Sequence, residues 1–412
     1  MTDGSEMDRA IVSEKPLRLT GVSLPGRPGR YDLVVADGRI ADLVPSRETD
    51  GGVVTPLFAD AHVHLDKTHT IARIGAEANA RIECLFDAIA LMEQDRANWT
   101  AADIRARAGL ALEAAYRQGV GAMRTHIDWV TPEVPEAWPV LVELRKEWKD
   151  RIDLQLAALI HGDIVPEAGA AVAARVKQDG GVLGAFFYRN ADIAAKVEAM
   201  FALARAHDLD LDFHVDEGLD AEADGLSLII EAARRHGMAG RVLCGHACSL
   251  TLRSADELRR ILAAGAEAGV ALVLLPTTNL YLQDRANGRT PRLRGIAPLK
   301  EAREAGMAVM LASDNVRDAF YPYGDYDPLS VLRLAAPVCH LEPEDWLDSI
   351  TTLPARWCAS SIATPLEKAM PANFVWHAAS DLGDLISRPQ ARRIVYRGGK
   401  PLPASNQDWR NA

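Results

Sequence analysis

Four histidines, an aspartate and a glutamate stand where short apolar runs stop. His62 and His64 close the segment PLFADAHVH, His214 and Glu217 lie in LDLDFHVDE, His246 in RVLCGHACSL and Asp314 in MAVMLASDN. Alternate side chains of a strand share a face, so His62 and His64 point together while Val63 and Leu65 point away. An isolated H-x-H pair says little, because 11 histidines in 412 residues give roughly 0.3 such pairs by chance. Imidazole nitrogens joined by one carboxylate say more. They suit Zn²⁺ or Fe²⁺ and leave a coordination position open for water, which is the catalytic kind of metal site.

Such a site needs a scaffold that brings distant strand ends together. From Leu57 onward eight strand-like runs alternate with amphipathic helical stretches: PLFADAHVH, GAMRTHIDWV, IDLQLAALIH, GVLGAFFYRN, LDLDFHVDE, RVLCGHACSL, GVALVLLPTTN and MAVMLASDN. The segment TAADIRARAGLALEAAYRQG opens on a plausible N-cap, Thr100, and closes at Gly119. Strand then helix, eight times, predicts an α/β chain folded as a (β/α)8 TIM-type barrel over 57–364. In such a barrel the C-terminal strand ends face one mouth, and strands 1 and 8 are neighbours. The candidate ligands all fall at that end. Residues 15–56 and 365–412 instead alternate apolar and polar positions, as in LRLTGVSLPG and ARRIVYRGGKPL. They are expected to meet in space as one discontinuous β-sandwich domain, with 1–14 as a mobile tail.

Composition narrows the partners. The net charge of −11 and the lack of any basic run with interleaved aromatics argue against nucleic acid. The apolar runs are far too short to span a bilayer, and the N-terminal MTDGSEMDRA has no apolar core of a signal peptide. Five cysteines without a C-x-x-C pair suggest neither a disulfide framework nor a cysteine zinc site, and a cytoplasmic location is expected. The expected partner is a small molecule. Assembly into a homo-oligomer is left open.

With HVHLDK, THID, IDLQ, HVDE, the GHA histidine and SDN followed by D-x-F-Y-P-Y-G in this order, the chain resembles the amidohydrolase superfamily of metal-dependent hydrolases. Within it the motifs are most similar to the cytosine deaminase and N-isopropylammelide amidohydrolase branch. The resemblance implies His62, His64, His214 and Asp314 as metal ligands, His246 beside the metal-bound water and Glu217 as proton shuttle. The third-strand position where binuclear relatives differ is matched by Gln155, which implies one divalent ion per chain, Zn²⁺ or Fe²⁺. Gln155 and Lys67 are then expected on the polar edge of the substrate.

The expected reaction is hydrolytic deamination of a nitrogen heterocycle, a cytosine-like pyrimidine or related cyclic amidine. A metal lowers the pKa of bound water from about 15.7 to about 7, so hydroxide can attack the amine-bearing carbon and expel ammonia. Asp314 could take the water proton. Glu217, three residues past a ligand, could protonate the ring nitrogen and then the leaving amine.

The branch pattern is not matched throughout. Lys67 stands in place of Thr, Asn315 in place of a second Asp and Phe320 in place of the usual Trp, and these three are expected to line the substrate pocket. Exchanged buried donors and acceptors discriminate strongly between substrates, so the substrate need not be cytosine. Cleavage of another C–N bond, with an N-alkyl amine leaving, and a non-catalytic barrel relative are the alternatives. His126 either lines the pocket or is a core histidine. His69 is read as solvated, Asp66 as a loop brace, and His161, His207, His236, His340 and His377 as structural.

Overall fold

The structure is a computed structural model that describes residues 16–286 and 288–403. The expected tail, 1–14, and the final part of the expected C-terminal sandwich segment, 404–412, lie outside the described residues.

The eight barrel strands form where the sequence placed them. They are β5 (Phe58–Val63), β6 (Val120–Trp129), β7 (Asp153–His161), β8 (Val182–Phe187), β9 (Leu211–Val215), β10 (Val242–His246), β11 (Val270–Leu274) and β12 (Val309–Leu311). They hydrogen-bond in sequence order from β5 to β12, all neighbours parallel. A parallel bridge between Val63 and Asp314 brings the two edges together, so the sheet closes on itself. Strands buried on both faces read as nearly continuous apolar runs, and every residue of β6 is buried. The helix Ala101–Gln118 starts on Thr100, whose hydroxyl accepts from the Asp103 N–H at 3.2 Å, and stops at Gly119 with φ 95°.

Four strands precede the barrel: β1 (Leu17–Ser23), β2 (Arg30–Ala36), β3 (Arg39–Pro45) and β4 (Val53–Pro56). Three follow it: β13 (Phe374–His377), β14 (Arg393–Arg397) and β15 (Lys400–Pro401). Both ends of the chain do meet. They do so as one seven-stranded hydrogen-bonded sheet, in the order β15-β14-β13-β4-β1-β2-β3. The reason is β4, which pairs with β1 on one side and antiparallel with β13 on the other, so the two halves share a strand. Val22, Leu33, Ile40, Val54, Phe374 and Tyr396 are packed within this sheet's own core.

His377 joins the end sheet to the barrel. It is fully buried, its Nε2 is 3.3 Å from Thr55 Oγ1, and its ring centroid is 6.3 Å from that of Phe58. Burial, helped by Arg393 and Arg333, pushes its pKa down to about 3. The folded chain therefore keeps His377 neutral while the unfolded chain charges it below about 6.5. Its contribution is complete above that pH and is lost as the pH falls towards the folded value. Between pH 7 and pH 5 this one group should cost about 2 kcal/mol of unfolding free energy. Urea denaturation of His377→Leu at the two pH values should show a loss smaller by that amount, and an equal loss in both proteins would refute the assignment.

Candidate active site

The site is built at the C-terminal ends of β5, β9 and β10 and just beyond β12. His62 Nε2 is 3.0 Å from His214 Nε2, which is 3.1 Å from His64 Nε2. Asp314 Oδ1 lies 3.5 Å from His62 Nε2 and 3.3 Å from His64 Nε2. All four side chains are buried, and neither Asp314 oxygen finds a well-oriented donor. Three nitrogen lone pairs and a carboxylate converging in a dry core are costly unless a cation sits among them. A tetrahedral ion with metal–nitrogen distances of about 2.0–2.1 Å requires donor separations near 3.3 Å. The donor set fits a metal by both chemistry and spacing.

The backbone is arranged for this. Asp314 N donates to His62 O at 2.9 Å, tying the eighth strand end to the first. His246 and Asp314 sit at φ 68° and 60°, a left-handed conformation that non-glycine residues avoid and that clusters at functional sites. Gly245 is needed next to His246, since a Cβ there would lie 2.8 Å from His62 Cε1. Burial holds His62 and His214 well below the ordinary histidine pKa, and His64 below it as well, with Lys67 adding to the effect on His64. Neutral imidazoles are the form that binds a metal.

Glu217 is buried at the same mouth, with Oε1 3.6 Å from His246 Nδ1. Burial first, then the nearby Asp314 carboxylate, lifts its carboxyl well above the usual range. His246, held neutral at a pKa of about 4 by burial, has its Nδ1 3.1 Å from Asn279 Nδ2, which fixes the ring. Asn279 lies on the short helix Pro276–Leu282 after β11 and belongs to none of the motifs read from the sequence.

A cavity of about 350 Å³ opens above these groups and is also lined by Lys67, Asn315 and Phe320. Lys67 Nζ donates to Asp128 Oδ1 at 2.7 Å and sits 5.1 Å from the Phe320 ring centroid. Its charge is therefore matched inside the protein by Asp128, a cavity residue that the sequence reading passed over. Asn315 Nδ2 donates to Asp318 Oδ2 at 2.8 Å. Asp66 braces the loop as expected: its carboxylate accepts from the backbone N–H of Lys67 and of Asp128.

Gln155 is a correction. It is the third residue of β7, far from that strand's C-terminal end at His161. It accepts from Arg124 Nε at 2.7 Å and lines a separate pocket with Arg145, Lys149 and Cys358. It does not reach the substrate cavity. The β7 residues that do are Leu159 and His161, so His161 is a cavity residue rather than a purely structural one. His69 is half-buried against Tyr326, with ring centroids 6.3 Å apart, and is not solvated.

His126 lies under the cluster, its ring centroid 4.1 Å from that of His62, and its Nε2 is 3.0 Å from Asp212 Oδ1. His62, His126 and His214 also form a geometrically acceptable metal triad, as do His62, His246 and Asp314. Asp212 in turn accepts from the buried Arg124 at 2.7 Å, so a polar column runs down the barrel axis beneath the site.

An eight-stranded parallel barrel with a histidine–aspartate centre and a buried carboxylic acid at the mouth defines a metal-dependent hydrolase. The chain belongs to the amidohydrolase family, whose profile matches residues 96–402. It is 38% identical over 408 residues to the pterin deaminase of Rhizobium rhizogenes, covering 95% of this chain and 92% of that one. It is 24% identical to the N-isopropylammelide isopropyl amidohydrolase of Pseudomonas sp. strain ADP, over 71% of this chain and 69% of that one. In three dimensions it matches the 5-methylcytosine deaminase of Klebsiella pneumoniae with a TM-score of 0.84 at 25% identity, over 95% and 98% of the two chains.

Proposed function

We propose that the protein is a metal-dependent deaminase of a bicyclic amino-heterocycle of the pterin type, releasing ammonia. The observation that carries this is the convergence of three imidazole nitrogens and the Asp314 carboxylate beneath a cavity that is also lined by the buried Glu217 carboxyl. The similarity to a pterin deaminase along nearly the whole chain supports the choice of ring.

His62, His64, His214 and Asp314 would hold one ion, Zn²⁺ or Fe²⁺. The single-ion reading rests on the cavity lining, where among the described residues the one lysine, Lys67, is committed to Asp128 and is not free to become a bridging carbamate. When bound, the ion supplies Lewis acidity and acidifies water at the reacting carbon.

The rest is done by side chains. Glu217 delivers its proton to the ring nitrogen beside the amine-bearing carbon, which makes that carbon a better electrophile; of the two protons that the added water gives up, one goes to the departing nitrogen, which leaves as ammonia, and one returns to the Glu217 carboxylate as the carbonyl forms. His246, held by Asn279, borders the reacting face as a neutral hydrogen-bonding group. Asn315 and Lys67, each already tied to a carboxylate, present fixed donors to a ring carbonyl. Phe320 offers an apolar face to the ring.

The test is a screen of protein purified without a tag and loaded with Zn²⁺ or Fe²⁺, using pterin, cytosine and N-isopropylammelide. We expect close to one ion per chain and ammonia from pterin. Two bridged ions would exclude the single-ion centre. Isopropylamine as the sole product would favour the N-alkyl amidohydrolase reaction, and no released nitrogen from any ring would refute the deaminase.

A further inference from the structure

The proposed metal donors and His246 occupy one arc of the barrel mouth, β9, β10 and the closure of β12 on β5. The opposite arc, β6 to β8, contributes different chemistry to the same cavity: Val130 just past β6, Leu159 of β7 and Phe186 of β8. The helix Leu85–Asp95, which lies in the connection between β5 and β6, adds Leu85, Ile89 and Met92 to that wall. Six apolar side chains from four elements therefore face the cavity away from the reacting groups. At about 350 Å³ the cavity falls in the range that buries drug-sized ligands, roughly 300–1,000 Å³. One amino-heterocycle leaves part of it unfilled.

Charge on this side is the second observation. Among the described residues lining the cavity, Lys67 is the one lysine or arginine, and Asp128 already holds it at 2.7 Å. Arg96, which reaches two of the lining carboxylates, is spent on Glu93 at 2.8 Å and on Asp128 at 3.2 Å. Glu93 and Asp128 themselves line the cavity. The remaining titratable group on this arc, His161 of β7, has its Nδ1 3.9 Å from Asp163 Oδ2. An anionic group placed here would meet the carboxylates of Glu93 and Asp128 beside a lysine and an arginine that these already hold, in a setting where an unpaired charge is costly.

We infer that the arc of β6–β8 and the helix Leu85–Asp95 form an outer subsite that takes an uncharged apolar substituent of the ring substrate and rejects an anionic one. This rests on the deaminase reading and names which members of that substrate class the protein selects. Leu85, Ile89 and Met92 lie four and three residues apart, the spacing that puts side chains on one helical face. That face is turned to the cavity. Its C-terminal end is fixed by a bidentate clamp of Arg73 on Asp95 at 2.6 and 2.7 Å, with Trp99 Nε1 donating to the same carboxylate at 2.8 Å. The wall is thus pre-formed, and binding need not pay to order it.

The experiment uses metal-loaded Glu217→Gln protein, in which turnover is suppressed, and calorimetric titration with pterin, a phenyl-substituted pterin and a carboxylate-substituted pterin. We expect the phenyl compound to bind roughly tenfold tighter than pterin, the gain from burying one ring face, and the carboxylate at least tenfold weaker. Adding Ile89→Lys, which puts a cation on the wall without touching the metal or Glu217, should reverse the order of the two substituted compounds at unchanged metal content. Affinities within threefold of one another, or a preference for the carboxylate in the parent, would overturn the subsite. Ammonia release from unsubstituted pterin by the wild type separates the two readings. If pterin is deaminated and the substituents make no difference, the subsite alone fails; if no pterin is deaminated or bound, both fall.

Discussion

Glu217→Gln retains the bound metal and lowers turnover by about 10²–10⁴-fold, the range for losing a general acid/base. The change keeps the size of the side chain and a hydrogen-bonding group, so packing beside His246 is preserved and only the transferable proton is removed. The buried position makes this a sharp test. Glu217 is 5% exposed, and the Gln283 amide fixes its backbone carbonyl at 2.5 Å, so no solvent carboxylate can stand in for it. Metal analysis together with kcat decides it. A variant with full metal and a rate within a few-fold of wild type would remove Glu217 from the reaction.

Stripping the metal produces the other large effect, on turnover and on stability together. Chelation should reduce deamination to background, and one equivalent of Zn²⁺ or Fe²⁺ should restore it. The same ion binds the folded chain far better than the unfolded one. At free metal 1,000-fold above Kd this linkage adds about 4 kcal/mol to the unfolding free energy. The geometry says why. The Nε2 atoms of His62 and His64 lie 3.0 and 3.1 Å from that of His214, and the buried Asp314 carboxylate beside them has no well-oriented hydrogen-bond donor, so an ion is what this group of lone pairs is built to hold. The barrel strands that hold them are anchored by their own ladders, so the stripped protein should still show a cooperative unfolding transition. Unchanged turnover and unchanged urea midpoint after verified metal removal would refute the centre.

Much of this was legible in the residues. Each barrel strand carried a short apolar run, and the ends of three of them carried the proposed ligands, which meet because parallel strands in a closed barrel put their C-terminal ends on one face whatever lies between. The joining of the two chain ends was readable as well, though not the shared strand: whether β4 bridges the halves depends on pairing across more than 300 residues, which no local pattern encodes. Gln155 was misplaced because a sequence match carries no depth. It sits near the start of a nine-residue strand, and its side chain serves Arg124 at the barrel base. His161, expected to be structural, closes the same strand and lines the cavity, because the strand end and not the local motif sets which side chains reach the mouth. Asp128, Asn279 and the Leu85–Asp95 wall were invisible for a different reason, since each acquires its role from an element distant in sequence.

The strand shared by the two ends also sets an order of assembly. As the chain leaves the ribosome, β1 to β4 emerge first, and the whole barrel follows before Phe374–His377 appears to cover the free side of β4. For that interval the first four strands present an unpaired edge next to a folding barrel, the kind of template on which another nascent chain can add a strand. Addition of β13 is therefore the step that ends the exposure. A chain truncated after the barrel would keep its catalytic groups and still be prone to aggregate through β4.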